Sequence, residues 1–313
     1  MKKKLNLEKN FISIVVYTKN DHKELKKFLS SITDLMSKNF EHFEFIVIDD
    51  SGKSTAQKII SDFAKHSNTG GSLSLIEMGY PQGVELAMNA GVDFSIGDFV
   101  FEFDSVHIDY PLETIMTIYH KALENHDIVA AAPSSHIKLS SRIFYRLFNK
   151  NSNIKEPLTT ETFFIVSRRA INRINNMNIK IPYRKAVYAN CGLSKKIVFY
   201  DRANTNKHPS NHKYRRGIAI DSLILFTDVA YKFAITMSLI MMALLLGSAI
   251  YTLVFFFSGQ AIAGWTTTML LVSFAFFGLF VILTIIIKYL SIIVKLIFER
   301  QSYIIKNTNR YLV

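Results

Sequence analysis

The sequence predicts an α/β fold, a mostly parallel sheet with helices on both faces, followed by two long apolar segments. Three observations carry this expectation. Short β-branched runs alternate with helically spaced apolar residues along the front of the chain. Acidic and polar residues gather directly after those runs. Beyond residue 230 two almost purely apolar stretches follow, separated by a short uncharged turn.

The elements follow in order. Phe11 to Tyr17 reads Phe-Ile-Ser-Ile-Val-Val-Tyr, a run suited to a strand buried on both faces. Leu25, Phe28, Leu29, Ile32 and Leu35 then recur at the spacing of one helical face. Phe43 to Ile48 gives a second strand, stopped by Asp49-Asp50-Ser51-Gly52. Ser54 and Thr55 are candidate caps for a helix carrying Ile59, Ile60 and Phe63. Ser72 to Glu77 reads as a third strand, Gly83 to Ser95 as a helix, and Phe99 to Phe103 as a fourth strand ending at Asp104.

The two apolar segments run from about Tyr231 to Phe257 and from about Thr267 to Ile287, each long enough for a bilayer. Lys207, His212, Lys213, Arg215 and Arg216 precede the first, and Lys288, Lys295, Arg300, Lys306 and Arg310 follow the second. The turn carries no charge but holds Trp265, expected to anchor at an interface. That asymmetry predicts a multi-pass protein with its head and C-terminus in the cytoplasm. The expected layout is a head over 1–205, a basic juxtamembrane segment over 206–230, two transmembrane helices over 231–290 and a juxtamembrane tail over 291–313.

The formal charge of +12 fits contact with anionic lipid. Nucleic acid is not an expected partner, because the basic residues cluster beside the apolar segments and no recognition motif is present. Cys191 is the only cysteine, which excludes an intrachain disulfide and fits a reducing compartment. The charged N-terminus lacks the apolar core of a signal peptide.

In sheets of this kind ligands bind beyond the carboxyl ends of the strands. The polar residues there are Thr18-Lys19-Asn20-Asp21, Asp49-Asp50 and Asp104 to Asp109. Acidic clusters converging on one crevice require a bound cation or a set of donors. The alternative is that Asp49, Asp50 and Asp104 cap turns. Glu102 and Asp104 lie two apart on a strand and share a face, as a candidate metal pair. The other reading of Glu102 is a buried acid paired with a Lys or Arg.

Ile12 to Val16 with Asn20-Asp21, and Ile46-Val47-Ile48-Asp49-Asp50-Ser51-Gly52, resemble the first two strands of family 2 glycosyltransferases. Gly83 to Gly91, Gly97-Asp98 and Asp104 to Pro111 resemble the stretch leading into that family's metal motif. Tyr289 to Ile305 is similar to the juxtamembrane end of its polyisoprenyl-phosphate members, the dolichol-phosphate mannose synthase-like and bactoprenol glucosyltransferase-like group. The resemblance implies a GT-A-type, Rossmann-like head on a C-terminal transmembrane hairpin in a bacterial cytoplasmic membrane. It implies transfer of a sugar from a nucleotide-diphosphate donor to polyprenyl (undecaprenyl) phosphate, for cell-envelope polysaccharide or O-antigen modification. Membrane lipids and a second copy of the chain are further expected partners.

Carried over by position, Tyr17, Lys19, Asp21 and Asp50 fall at the nucleotide, and Asp104 at the donor diphosphate through Mg²⁺ or Mn²⁺. The departures are equally local. Val106 stands where the second metal acid belongs, Ile108 where a Gln completes the site, Thr162 at the presumed catalytic Asp and Phe164 at an Arg. Glu102 with Asp104 is then the substitute metal pair, and Glu161 the substitute for the lost acid. His208, Lys213, Arg215 and Arg216 are candidates to grip the acceptor phosphate, or markers of topology. Two readings stand: an active glycosyltransferase with an atypical site, or a catalytically impaired relative that binds a nucleotide sugar, a lipid or a partner subunit.

Overall fold

A computed structural model describes residues 7–52, 56–66, 71–135, 139–151, 157–177, 183–202, 265–298 and 303–312, with scattered positions between 217 and 247. The chain divides into two compact units. The first holds residues 1–149, 154–218 and 301–313, and the second holds 150–153 and 219–300.

The first unit runs β1 (Ile12–Thr18), α1 (His22–Asn39), β2 (Phe43–Asp49), α2 (Ala56–His66), β3 (Ser72–Met78), α3 (Val84–Phe94) and β4 (Phe99–Phe103). It continues through α4 (Glu113–Leu123), β5 (Ile128–Pro133), α5 (Leu139–Asn151), β6 (Phe163–Ser167), α6 (Arg168–Asn176), α7 (Arg184–Asn190) and β7 (Lys195–Tyr200). After the second unit's α8 (Trp265–Phe298) the chain closes with β8 (Ile305–Leu312).

The eight strands form one sheet in the order β7-β5-β6-β4-β1-β2-β3-β8. β1 pairs in parallel with both β2 and β4, which sets Thr18 beside Asp49 and Val16 beside Phe103. The chain therefore leaves β1 toward β2 on one side and reaches β4 on the other. That reversal is where a crevice opens in an α/β sheet, beyond the carboxyl ends. Lys19, Asp50 and Asp104 are the first residues past those ends.

Alternation along β1 divides the core between two helical layers. Ile12, Ile14 and Val16 pack with Leu25, Phe28 and Leu29 of α1 and Ile115 and Ile118 of α4. Val15 packs on the other face with Ala87 and Met88 of α3, Ala170 of α6 and Val187 of α7. Gly91 permits the close approach of α3. A Cβ there would stand 2.3 Å from Ile48 Cδ1 and 2.4 Å from Val15 Cγ1. This is the expected α/β architecture with helices on both faces. The sheet is mixed, because β6 inserts antiparallel between β4 and β5, and β8 lies antiparallel on β3.

The tail departs from expectation. Read as a juxtamembrane segment, residues 305–312 instead extend the sheet at its edge, pairing Ser72 with Leu312 and Ile76 with Thr308. Two further ties hold them. Ile304 N donates to Gln82 Oε1 at 2.9 Å while Gln82 Nε2 donates to Ile304 O at 2.7 Å, and Tyr303 Oη donates to Asp93 Oδ2 at 3.0 Å.

In the second unit, α8 exposes Phe276, Phe277, Phe280 and Ile287, and Met241 sits over Gly278. A membrane span needs about 20 consecutive apolar helical residues. Among the described residues no helix is long and apolar enough to cross a membrane. This corrects the expected transmembrane hairpin and the multi-pass inner-membrane localisation. Most of the first apolar segment, 231–257, lies outside the described residues.

Candidate active site

Asp50 organises the crevice at the ends of β1 and β2. Its side chain is fully buried, and it accepts from Gln82 N at 2.6 Å, Gly83 N at 2.9 Å and Tyr17 Oη at 3.0 Å. Lys19 Nζ lies 3.9 Å from the same carboxylate. Two backbone donors, a phenol and an ammonium thus converge on one acid, which fixes the turn from Gln82 to Gly83 over the strand ends. Gly83 adopts φ +91°, a conformation that disfavours any side chain there. Tyr17, Lys19 and Asp50, singled out from sequence, are brought together. Asp21 stands at the margin, with His107 Nε2 4.0 Å away.

Asp49 is a capping acid, as the alternative reading of that residue had it. Its carboxylate accepts from Ser51 N at 2.9 Å and Ala56 N at 3.3 Å at the entry to α2. Its side chain is committed to the entry of α2, whereas Asp50 holds the Gln82–Gly83 turn.

Beside them, the end of β4 holds an ionic cluster in which Glu102 is a buried acid paired with an arginine, the second of its two expected readings. Arg184, the first residue of α7, extends its guanidinium among three carboxylates. Its Nε donates to Glu85 Oε2 of α3 at 3.2 Å, Nη1 to Glu102 Oε2 and Nη2 to Asp104 Oδ1. The Arg184 backbone N–H also donates to Glu85 Oε2, at 3.0 Å. Tyr188 Oη, one turn along α7, takes the second Glu102 oxygen at 2.5 Å. Glu102 and Asp104 do share a face, and that face is satisfied by the arginine.

The cluster sets its own protonation. Burial raises Glu102 from 4.5 to about 6 against the pull of Arg184 and the Tyr188 hydrogen bond. Burial raises Glu85 too, with Arg184 opposing. Burial works against the charge on Arg184, but Asp104, Glu102 and Glu85 outweigh it and hold the guanidinium protonated well beyond its ordinary range. Lys185 follows the same logic: burial opposes its charge, Asp104 leads the groups that restore it, and its pKa is raised. Its Nζ lies 3.8 Å from Asp104 Oδ2, donates to Glu161 O at 2.5 Å and sits 5.6 Å over the Phe164 ring. Phe164 stands where the family resemblance has an Arg. The cation there is Lys185, delivered from α7.

These residues do not fit the expected Mg²⁺ or Mn²⁺. Both Asp104 oxygens face a cation of the protein, and both Glu102 oxygens are hydrogen-bonded within a fully buried side chain. Val106 is packed in the core, and Ile108 leans on that core. Among the described residues no group of three or more His, Cys, Asp or Glu is placed to hold a metal ion. Asp109 is engaged by Arg202 Nε at 3.2 Å and by Tyr200 Oη at 3.5 Å.

Glu161, expected as a substitute catalytic acid, points into the protein. Its carboxylate meets Lys195 Nζ of β7 at 2.5 Å, and neither side chain is more than 1% exposed. A group sealed by its own counter-ion has no route to a substrate, so the expected role is corrected to a buried ion pair. Thr162, at the position of the presumed Asp, shares a 2.8 Å hydrogen bond with Tyr200 Oη. The acceptor-phosphate candidates His208, Lys213, Arg215 and Arg216 lie outside the described residues. Arg184, Lys185 and Lys195 were missed in the sequence. The adjacent charges of Arg184-Lys185, with Tyr188 one turn after Arg184, were the available signal.

Residues 13–177 match the glycosyl transferase family 2 domain, which spans β1 through α6. The chain is 22% identical over 308 residues to an uncharacterized glycosyltransferase of Bacillus subtilis, covering 95% of this chain and 93% of that one. It is 22% identical over 229 residues to an uncharacterized glycosyltransferase of Synechocystis, covering 71% of each. It is 27% identical over 198 residues to a prophage bactoprenol glucosyl transferase homolog of Escherichia coli, covering 61% of this chain and 63% of that one.

Proposed function

The chain belongs to glycosyl transferase family 2, and from that premise we propose that it moves a sugar from a nucleoside-diphosphate donor to the phosphate of a polyprenyl lipid. The observation that carries the donor half is the convergence of Tyr17, Lys19 and the turn at Gln82–Gly83 on Asp50, at the strand-order reversal. The lipid half is supported by the similarity to the bactoprenol glucosyl transferase homolog.

In this reaction a phosphate oxygen of the acceptor forms a bond to the sugar's anomeric carbon as the bond to the donor diphosphate breaks. The acceptor oxygen is already ionised, so the site need not supply a strong base. Its work is to align the two phosphates with the sugar and to offset charge on the departing diphosphate. Lys19, 3.9 Å from Asp50, and Lys185, 3.8 Å from Asp104, are the lysines at the strand ends that would serve that purpose. Thr162 in place of an acid is compatible with an acceptor that brings its own charge.

The test is to incubate the purified full chain with labelled nucleotide sugars and undecaprenyl phosphate in detergent. Extraction of label into the lipid fraction is the expected result. Protein that is folded, binds UDP or GDP, and labels no lipid with any common donor would overturn the acceptor assignment.

A further inference from the structure

We infer that Arg184 takes the part of a divalent cation, so that the donor diphosphate is bound and released by this chain without metal. The inference rests on the donor reading above and concerns how the same site handles charge.

The geometry is that of a cation centre. The planar guanidinium presents Nε, Nη1 and Nη2 to Glu85, Glu102 and Asp104, one carboxylate for each edge of the fork. A divalent ion at the same place would need those oxygens at about 2.1 Å and could not share them with the arginine. The guanidinium is also anchored by its own backbone, since Arg184 N donates to Glu85 Oε2 at 3.0 Å. Swinging out would leave three carboxylates facing one another in a buried pocket, a costly arrangement without a replacement cation. Its neighbour Lys185 lies nearer the surface, 3.8 Å from the outer oxygen of Asp104. Arg184 thus neutralises the acids from below, while Lys185 and Lys19 remain above to meet the diphosphate. Arg184 is a positioning residue in this scheme, acting through Asp104 and Lys185.

Two measurements on the intact wild-type chain decide the matter. Titration of Mn²⁺ alone, followed by electron paramagnetic resonance, is expected to show no bound ion that Asp104→Asn removes. A Mn²⁺ site lost in that variant would overturn the inference, whether or not nucleotide binds. Calorimetric titration of UDP and of GDP in EDTA and in Mn²⁺ is expected to give affinities within about threefold of each other. Binding that appears only with Mn²⁺ would sink the inference and leave the donor reading intact. Binding in neither condition would instead sink the donor reading, and the Mn²⁺ titration would still judge the arginine.

Arg184→Ala provides a third arm. Emptying the centre should create Mn²⁺ affinity at least about tenfold above wild type. A folded Arg184→Ala protein with unchanged Mn²⁺ affinity would argue that the guanidinium holds no cation's place. If Arg184→Ala fails to fold, the wild-type measurements suffice.

Discussion

Lys195 and Glu161 form a 2.5 Å ion pair sealed from solvent, joining the start of β7 to the segment that leads into β6. Removing one partner of such a pair leaves an uncompensated buried charge. Lys195→Met is therefore expected to lower the unfolding free energy by about 3–5 kcal/mol. Adding Glu161→Gln to that variant should recover part of the loss. Denaturant melts of the single and double variants measure both. A cost below about 1 kcal/mol for Lys195→Met would show that the pair is not buried as described.

Glu102 makes stability depend on pH in an unusual direction for an acid. Its folded pKa is raised from 4.5 to about 6, so the folded state holds the proton more tightly than the unfolded chain. Stability from this group is fully present below pH 4.5 and is lost as pH rises through 6. The rise from 4.5 to about 6 corresponds to about 2 kcal/mol. The difference in unfolding free energy between wild type and Glu102→Gln should fall by that amount between pH 4 and pH 7. A flat difference would mean that Arg184 fully offsets the burial.

Asp50 is expected to govern the donor site through the turn it holds. Asp50→Ala strips partners from Gln82 N, Gly83 N and Tyr17 Oη. Each buried donor left unpaired costs about 1–3 kcal/mol. UDP or GDP affinity should drop by about tenfold or more, read by calorimetry, together with a lower melting temperature. A destabilised protein with wild-type nucleotide affinity would place the donor elsewhere.

Gly91 and Gly97 differ in what an added methyl would meet. At Gly91 the obstacles are side chains of Ile48 and Val15, so Gly91→Ala should cost about 1–3 kcal/mol as overpacking. At Gly97 the Cβ would lie 2.6 Å from Ser13 N and 2.8 Å from Phe11 O, which are backbone and cannot yield alone. Gly97→Ala should therefore be the more damaging of the two in a denaturant melt. The reverse order would contradict the packing at the base of β1.

The strands were legible because they are buried runs of β-branched and aromatic residues. Phe99–Phe103 matches the expected bounds, β1 is shifted by one residue at both ends, and β2 and β3 each run one residue further. β8 was not legible. Its sequence, Ile-Lys-Asn-Thr-Asn-Arg-Tyr-Leu, is polar and mostly exposed, and only an available edge on β3 makes it a strand. The site divides in the same way. Asp50 and Asp104 could be found because they end strands, and pairing with a basic residue was one of the two readings of Glu102. That Arg184 was the partner depends on a tertiary contact 82 residues away, which no local pattern records.

The pairing of β8 with β3 also sets an order on the chain's construction. The edge of β3 can emerge from a ribosome and fold with β1, β2 and β4 while more than 200 residues remain to be added. Its outer row of backbone donors and acceptors stays open until position 312 has been translated, an interval in which another extended segment can dock there. Completion of the sheet therefore reports that the whole intervening chain has been made, and an interrupted product would carry a bare edge marking it as unfinished.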